Sequence, residues 1–234
     1  MNLLLSDPAF LATSGGVSSP GDPYFSNVAL LLHGDGANGS TTIIDSSPSP
    51  KTVTASGNAK ISTAQSNPFG GSNSILISTS LTNGLLTIPT ISFALNESFT
   101  VEAWLFKTGV HSSGYSTLFA GGGSNQFGYD TPATSSVFMY LDASMVATSS
   151  GPVIPTNDWC HVAYTRDVAT CRVFVDGILQ GSGTRGNAFL LSTLAGLSLG
   201  AQNIVGYIDE VRITKGVARY TSNFTPPTAP FPDI

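Results

Sequence analysis

Residues 206–214, Gly-Tyr-Ile-Asp-Glu-Val-Arg-Ile-Thr, form the segment that most constrains how this chain can fold. Two sets of side chains alternate along it: Ile208, Glu210, Arg212 and Thr214 on one side, and Tyr207, Asp209, Val211 and Ile213 on the other. A period of two indicates a β-strand, because successive side chains of a strand point to opposite faces. The segment therefore predicts a strand with two different faces.

Comparable short segments recur along the chain from residue 28 onward, separated by clusters of Gly, Pro, Asn and Ser. The clearest lie at residues 28–32, 99–106, 159–166 and 171–175. With about a dozen such segments and no segment of helical period, the pattern predicts two packed antiparallel sheets. The 25 Gly and 14 Pro, with only 10% charged residues, are typical of short strands joined by tight turns. We therefore expect one all-β domain.

The charge of the chain argues against two classes of partner. The net charge is −5, and the nine Lys and Arg residues lie singly along the sequence. Binding to nucleic acid or to an anionic membrane surface relies on clustered cations, which this sequence lacks. No apolar segment approaches the roughly 20 residues that a membrane-spanning helix needs. We therefore expect neither nucleic acid nor a membrane as a partner.

The first 26 residues differ in character from the rest of the chain. They contain three prolines and show no sustained periodicity, which favours an extended N-terminal arm. The start is unlike a secretory signal peptide, because it lacks a cation and its apolar residues end at Asp7. Such an arm is either a frayed terminus or a segment that docks on a neighbouring subunit or a scaffold. The predicted division is an arm at 1–26, a β-sandwich at 27–224 and a Pro-rich tail at 225–234.

Four segments, taken in order, resemble the laminin-G-like, concanavalin-A-like jelly-roll family. They are Ser-Phe-Thr-Val-Glu-Ala-Trp-Leu-Phe at 98–106, Trp-Cys-His-Val-Ala-Tyr-Thr-Arg at 159–166, Arg-Val-Phe-Val-Asp-Gly at 172–177, and the strand at 206–214. The resemblance covers about residues 28–224 and implies a two-sheet antiparallel β-sandwich whose first and last strands pair. The stretch 208–227, which ends in Asn-Phe-Thr-Pro-Pro, is similar to the ending of bacteriophage structural proteins.

A calcium site is the first functional expectation that the resemblance implies. The Gly-rich stretch 33–47 is similar to the opening of many family members and contains Asp35 and Asp45. If the first and last strands pair, Asp209 joins them, and Ca²⁺ prefers such carboxylate and carbonyl oxygens. The alternative is that Asp35 and Asp45 are turn residues that hydrogen-bond their own backbone. On the first interpretation the ion is structural.

A sugar-binding loop is the second expectation. Carbohydrate sites combine an exposed aromatic ring with planar polar side chains. The polar stretch 121–130 offers both kinds of group, in Asn125, Gln126, Phe127, Tyr129 and Asp130. Tyr115 and His111 are expected nearby. The alternative is an ordinary solvated loop with one anchoring aromatic ring.

Enzymatic activity is not expected. A glycosidase needs two carboxylates about 5–10 Å apart across a cleft. The only glutamates are Glu97, Glu102 and Glu210, and their spacing is unlike the paired carboxylates of glucanase relatives. Asp209 and Glu210 are adjacent, so a strand places them on opposite faces.

These observations together predict a non-enzymatic phage virion surface protein, either a capsid decoration protein or a tail or tail-fibre component. It is made in the host cytoplasm and located in the virion, where the arm at residues 1–26 contacts other virion proteins. We expect a homo-oligomer that adheres to host surface glycan, reinforces the particle, or does both. The alternative is a free soluble carbohydrate-binding lectin.

Overall fold

A computed structural model describes residues 21–78, 84–109, 115–122, 125–130, 135–151, 153–194 and 204–234. A short 3-10 helix, Phe25–Asn27, precedes the strands. The strands of the described residues are β1 Val28–Leu32, β2 Thr42–Ile43, β3 Val53–Gly57, β4 Lys60–Ser62, β5 Ser74–Ser78, β6 Gly84–Phe93, β7 Phe99–Lys107, β8 Tyr115–Gly121, β9 Asn125–Asp130, β10 Val137–Leu141, β11 Ser144–Thr148, β12 Trp159–Asp167, β13 Thr170–Val175, β14 Ile178–Thr184, β15 Phe189–Leu194 and β16 Gly206–Lys215.

The strands form two eight-stranded antiparallel sheets. The front sheet has the order β14-β13-β12-β7-β16-β5-β4, and β1 also pairs with β16. The back sheet has the order β11-β10-β9-β8-β15-β6-β3-β2. The predicted all-β two-sheet sandwich is therefore confirmed. The first and last strands pair as the family resemblance implied, with Leu31 opposite Arg212.

The core lies between the sheets and is rich in aromatic rings. Phe93 and Phe189 stack with their ring centroids 4.5 Å apart, and Phe99 meets Phe189 edge-on at 5.1 Å. Strand β7 shows how the alternation sorts side chains: Phe99, Val101, Ala103 and Leu105 are buried in this core. The intervening residues, which include Glu102, Trp104 and Phe106, lie on the outer face of the front sheet.

Strand β16 departs from the strict alternation that its sequence predicts. A β-bulge shifts the register against β7 between Asp209 and Arg212, and Glu210 takes a positive φ of 46°. A bulge places two residues opposite one and so changes which face the following side chains occupy. Ile208 and Ile213 consequently both face the core. The predicted grouping of Ile208 with Arg212 on one face is wrong for this reason.

One edge strand of each sheet packs against an edge strand of the other sheet. Edge strand β14 of the front sheet packs on edge strand β11 of the back sheet. The backbones approach so closely that a Cβ on Gly183 would lie 1.9 Å from the carbonyl oxygen of Val146. Gly181 makes the same kind of approach to Thr148. Glycine at both positions therefore allows the sandwich to close along an edge that would otherwise be open to pairing.

Both ends of the described chain lie against the front sheet. The amide of Asp22 donates to the carbonyl of the last residue, Ile234, at 2.9 Å. Phe231 is buried against Val28 and Leu31. Within the described residues, no helix is long and apolar enough to cross a membrane.

Candidate functional site

The outer face of the front sheet carries an unusual set of aromatic side chains at one end of its central strands. Trp159 of β12 and Tyr207 of β16 both lie directly opposite Phe106 of β7, one on each side. The ring centroid of Phe106 is 5.4 Å from that of Trp159 and 6.2 Å from that of Tyr207. We call these three residues the aromatic row. All three are half-buried, so part of each side chain is exposed to solvent.

Trp104 and the loop around residues 66–69 support the aromatic row from one side. Trp104, two residues before Phe106 on the same face, meets Phe69 edge-on with ring centroids 5.5 Å apart. The indole Nε1 of Trp159 donates to the carbonyl of Ser66 at 2.9 Å. The chain around residues 66–69 thus fixes the orientation of both tryptophans. Side chains held in one rotamer lose little entropy when they bind a ligand.

Polar residues border the aromatic row at both ends. Asn157 and Asp158 precede Trp159 and are exposed. On the other side Leu76, which is paired with Tyr207, is buried, and Lys60, which is paired with Leu76, is exposed. An apolar centre with a polar border is typical of a ligand-binding surface.

The other end of the same face is covered and charged. We call its six residues the charge network: Asp22, Glu102, His161, Arg212, Arg219 and Tyr220. Glu102 is its centre, because Arg212 Nε donates to Oε1 at 2.9 Å and the hydroxyl of Tyr220 donates to Oε2 at 2.9 Å. His161 Nε2 lies 3.1 Å from the same Oε2. Residues beyond β16 cover this half, and Tyr220 stacks on Phe224 at 3.6 Å.

Glu102 is ionised because its neighbours in the charge network lower its pKa. Burial alone raises the pKa of this carboxyl, but the neighbouring Arg212 and His161 outweigh burial and lower the pKa to about 2. Arg212 and Arg219 both donate to Asp22, whose pKa they hold below its usual value against the effect of burial. Glu102 is therefore an ionised structural group with no proton to donate at neutral pH.

Asp209 lies between the two halves and has an unusual environment. Its side chain is fully buried, Oδ1 accepts the amide of Glu210 at 2.7 Å, and Oδ2 has no hydrogen-bond partner. Burial, together with the nearby carboxylates of Glu210 and Asp35, raises the pKa of Asp209 to about 9. Glu210 itself contacts His33 Nδ1 at 2.9 Å and accepts the amide of Phe231 at 2.7 Å.

Residues 80–219 match the model of the concanavalin A-like lectin/glucanases superfamily, in its laminin G form. The chain belongs to this superfamily. The match covers more than half of the sequence and includes the aromatic row. The family that the four sequence segments resembled is thus confirmed. No curated protein sequence matches the chain.

Solved structures of other proteins show the same fold. Domain 4 of AbnA, a GH43 extracellular arabinanase from Geobacillus stearothermophilus in complex with arabinotriose, has a TM-score of 0.55 at 18% identity, over 82% of this chain and 95% of that chain. The binding domain of botulinum neurotoxin serotype C1 has a TM-score of 0.53 at 15% identity, over 82% of this chain and 49% of that chain. This chain thus spans about half of the toxin binding domain.

The predicted calcium ligands are not brought together as one set. Both carboxylate oxygens of Asp45 are used by the chain itself, because they accept the amides of Leu31, Ser47 and Lys51 at 2.7–3.0 Å. The alternative that Asp45 is a turn residue describes this geometry, and Asp45 does not fit a calcium ligand. Among the described residues no three His, Cys, Asp or Glu side chains could together hold a metal ion. Calcium at the remaining pair, Asp35 and Asp209, stays a prediction.

The predicted sugar-binding loop is a strand, and this expectation is corrected. Residues 125–130 form β9 between β8 and β10, and Phe127 and Tyr129 are buried in the core. Alternation turns both rings inward, so they cannot form an exposed platform. Asn125 is buried and braces a turn by donating to the carbonyl of Gly122 and accepting the amide of Asp142, and Gln126 is buried as well.

The remaining residues of that prediction lie elsewhere or outside the described chain. Asp130 ends β9, and His111 is not among the described residues. Tyr115 is 40% exposed, but on the back sheet, where it meets Phe138 edge-on. The sequence did contain a signal for the aromatic row, since Trp104 and Phe106 occupy the face of β7 opposite its core residues. That signal identifies an aromatic face without showing which strands lie beside it.

Proposed function

We propose that this chain is a non-catalytic glycan-binding domain and that the aromatic row is its contact surface. The observation that carries the proposal is the set of three half-buried rings on adjacent strands, bordered by exposed polar residues. A sugar ring has an apolar face of C–H groups and a polar rim of hydroxyls. Aromatic side chains with a few polar groups around them complement both parts.

The solved relatives support this proposal. The arabinanase domain was solved with arabinotriose, and a further neighbour, the binding domain of botulinum neurotoxin DC, was solved in complex with SialylT. The latter has a TM-score of 0.54 at 16% identity, over 82% of this chain and 48% of that chain. Binding of carbohydrate by domains of this fold makes glycan the first ligand class to test.

The carboxylates support a binding role over a catalytic one. Glu102 is buried and ionised within the charge network, and Glu210 is buried between His33 and Phe231. Glu97, the third glutamate, accepts the amide of Ala94. Asp209 holds a proton at neutral pH but is fully buried, so a substrate cannot reach it. A glycosidase needs an acid and a second carboxylate that both meet the substrate.

The experiment is a glycan-array screen followed by calorimetry with Trp159→Ala and Tyr207→Ala. We expect the wild type to bind carbohydrate and each variant to bind about tenfold more weakly, which corresponds to about 1.4 kcal/mol for the lost ring contact. Tyr115→Ala is the matched control, because it removes an exposed tyrosine from the opposite sheet. Equal binding by the wild type and both row variants would remove the aromatic row from the proposal.

The virion setting is the second part of the proposal. The similarity of residues 208–227 to the ending of phage structural proteins supports a capsid decoration or tail protein that presents this domain to host glycan. In that setting the arm at 1–26 contacts other virion proteins and the chain forms a homo-oligomer. The alternative is a free lectin that acts outside any particle.

Deletion of residues 1–20, which leaves Asp22 and the charge network in place, distinguishes these settings. For a virion component we expect the chain in purified particles, detected by mass spectrometry and located by electron cryomicroscopy. The deletion should then abolish incorporation while glycan binding is retained. Particles that lack the chain, together with unchanged glycan binding and oligomeric state after the deletion, would support the free lectin.

A further inference from the structure

The arrangement of the aromatic row carries information about the shape of its ligand. Its three rings belong to β12, β7 and β16, which are consecutive in the front sheet. Neighbouring strands lie about 4.8 Å apart. The row therefore extends across the strands, perpendicular to their direction, and its rings are separated by 5.4 Å and 6.2 Å. Each separation is comparable to the length of one sugar residue.

The rings do not lie in one plane. The plane of Phe106 is inclined by 59° to that of Trp159 and by 74° to that of Tyr207. A single sugar ring is nearly flat on each face, so it can pack against only one of these three surfaces at a time. Contact with all three rings requires a ligand with several rings that can turn relative to one another. An oligosaccharide chain has this property, because its glycosidic bonds rotate.

Exposed polar side chains lie close to the row. Beyond Tyr207 the next outward side chain, Leu76, is buried, and Lys60 on β4, which is paired with Leu76, is exposed. Along β12, the exposed Asn157 and Asp158 precede Trp159. These polar groups are available to hydrogen-bond the hydroxyls of a sugar chain whose rings pack on the row.

Resting on the proposed function, we infer that the ligand is an unbranched glycan chain that lies across the strands of the front sheet. Successive sugars contact Trp159, Phe106 and Tyr207, so that a unit of three sugars is recognised. Specificity for a single terminal sugar is not expected. Phe106 is the central ring, so any bound chain of two or more sugars has one sugar in contact with it.

The test compares affinity with chain length. Glycan arrays that carry both linear polysaccharides and branched terminal glycans identify a binder, and calorimetry then uses its mono-, di-, tri- and tetrasaccharide. Arabino-oligosaccharides and cello-oligosaccharides are the first two series. We expect affinity to rise about tenfold with each added sugar up to the trisaccharide, and then to change little.

Variants locate the individual contacts. In Trp159→Ala or Tyr207→Ala one end of the row is lost, so the plateau should be reached at the disaccharide while affinity for the disaccharide stays within about twofold. Phe106→Ala should weaken binding of every length by about tenfold. Tyr115→Ala is expected to follow the wild type at every length. Thermal melts of each variant establish that the compared proteins are folded.

Two results would overturn different statements. Equal affinity for the monosaccharide and the tetrasaccharide of a bound series, or retention of branched terminal glycans alone, overturns the inference of a chain ligand and leaves glycan binding intact. Failure of the folded wild type to retain any carbohydrate on the array overturns the proposed function itself.

Discussion

The two halves of the front sheet's outer face are built on the same central strands and differ in almost every physical respect. Strand β7 supplies Glu102 to one half and Phe106 to the other, four residues apart, and β16 supplies Arg212 and Tyr207. Glu102 is fully buried beneath Tyr220, whereas Phe106 remains half-buried beside other aromatic rings. One pair of strands can thus present a charged interior surface at one end and an aromatic exterior surface at the other.

What separates the two halves is the chain that follows β16. The hydroxyl of Thr165 donates to the carbonyl of Tyr220, and Arg212 lies 3.7 Å from the ring centroid of Phe231. These contacts hold the C-terminal residues over the charge network. Buried charges require partners with good geometry, and in this half each carboxylate meets at least one cation. The covered half therefore serves stability, and the uncovered half carries the surface that we propose as the glycan site.

The largest expected loss of stability comes from the substitution Glu102→Gln in the covered half. Loss of the carboxylate removes one of the two buried counter-charges of Arg212, so the free energy of unfolding should fall by about 3–5 kcal/mol. Urea denaturation at neutral pH measures this change. Glu97→Gln is the control, because Glu97 is half-buried and should cost about 1 kcal/mol or less. Equal effects of both substitutions would contradict the special status of the charge network.

The same residue gives a pH signature. Its pKa is lowered from 4.5 to about 2 in the folded protein. The stability that Glu102 contributes is therefore fully present above pH 4.5 and is lost as the pH falls towards 2. The Glu102→Gln variant should lose less stability than the wild type over this window. Parallel acid-unfolding curves for the two proteins would contradict the assignment.

A smaller effect is expected at the boundary between the halves, in Asp209→Asn. The pKa of Asp209 is raised from 3.8 to about 9, so the folded protein binds a proton that the unfolded chain has released. Stability consequently falls as the pH rises from about 4 to 9, and a neutral asparagine removes this dependence. We expect the variant to be more stable at pH 7 by about 2 kcal/mol, measured by denaturation at several pH values.

The same variant, Asp209→Asn, also tests the calcium prediction. If Ca²⁺ binds at Asp35 and Asp209, addition of CaCl₂ should raise the melting temperature of the wild type and leave that of Asp209→Asn unchanged. Removal of calcium with EGTA should then reverse the increase. A melting temperature that is insensitive to both reagents would remove the calcium prediction.

The smallest effect on stability is expected in the open half, in Tyr207→Ala. This ring is half-buried and contacts mainly Phe106, so its loss should cost about 1–2 kcal/mol. Chemical denaturation measures the cost, with Tyr115→Ala of the back sheet as the comparison. A cost as large as that of Glu102→Gln would show that the open half is part of the structural interior. The difference between the two halves would then disappear.

The sequence alone predicted the sandwich because the relevant signals are local. A period of two over residues 99–106 and 159–166, with glycine and proline clusters between such segments, indicates strands whatever their neighbours are. The segment at 28–32 is β1 with the bounds that the sequence predicted. The same local logic failed at 121–130, where glycines and polar residues resembled a loop although Phe127 and Tyr129 alternate as in a strand.

Local signals could not show the site, because it depends on which residues pair across strands. Trp159, Phe106 and Tyr207 are far apart in sequence, and only the register of three strands places them side by side. The bulge at Asp209–Glu210 adds to this, because it moves Tyr207 to the face of Arg212. Strict alternation had placed these two side chains on opposite faces.

The sequence by itself thus determined the class of fold, the superfamily and the existence of an aromatic face on β7. The tertiary structure decided which half of that face is covered and which strands contribute its rings. The physical reason is that alternation depends on neighbouring residues in one strand, whereas burial depends on what packs on the strand from elsewhere in the chain. Here the deciding segment is the chain after β16, whose contacts with Glu102, Thr165 and Arg212 cross long stretches of sequence.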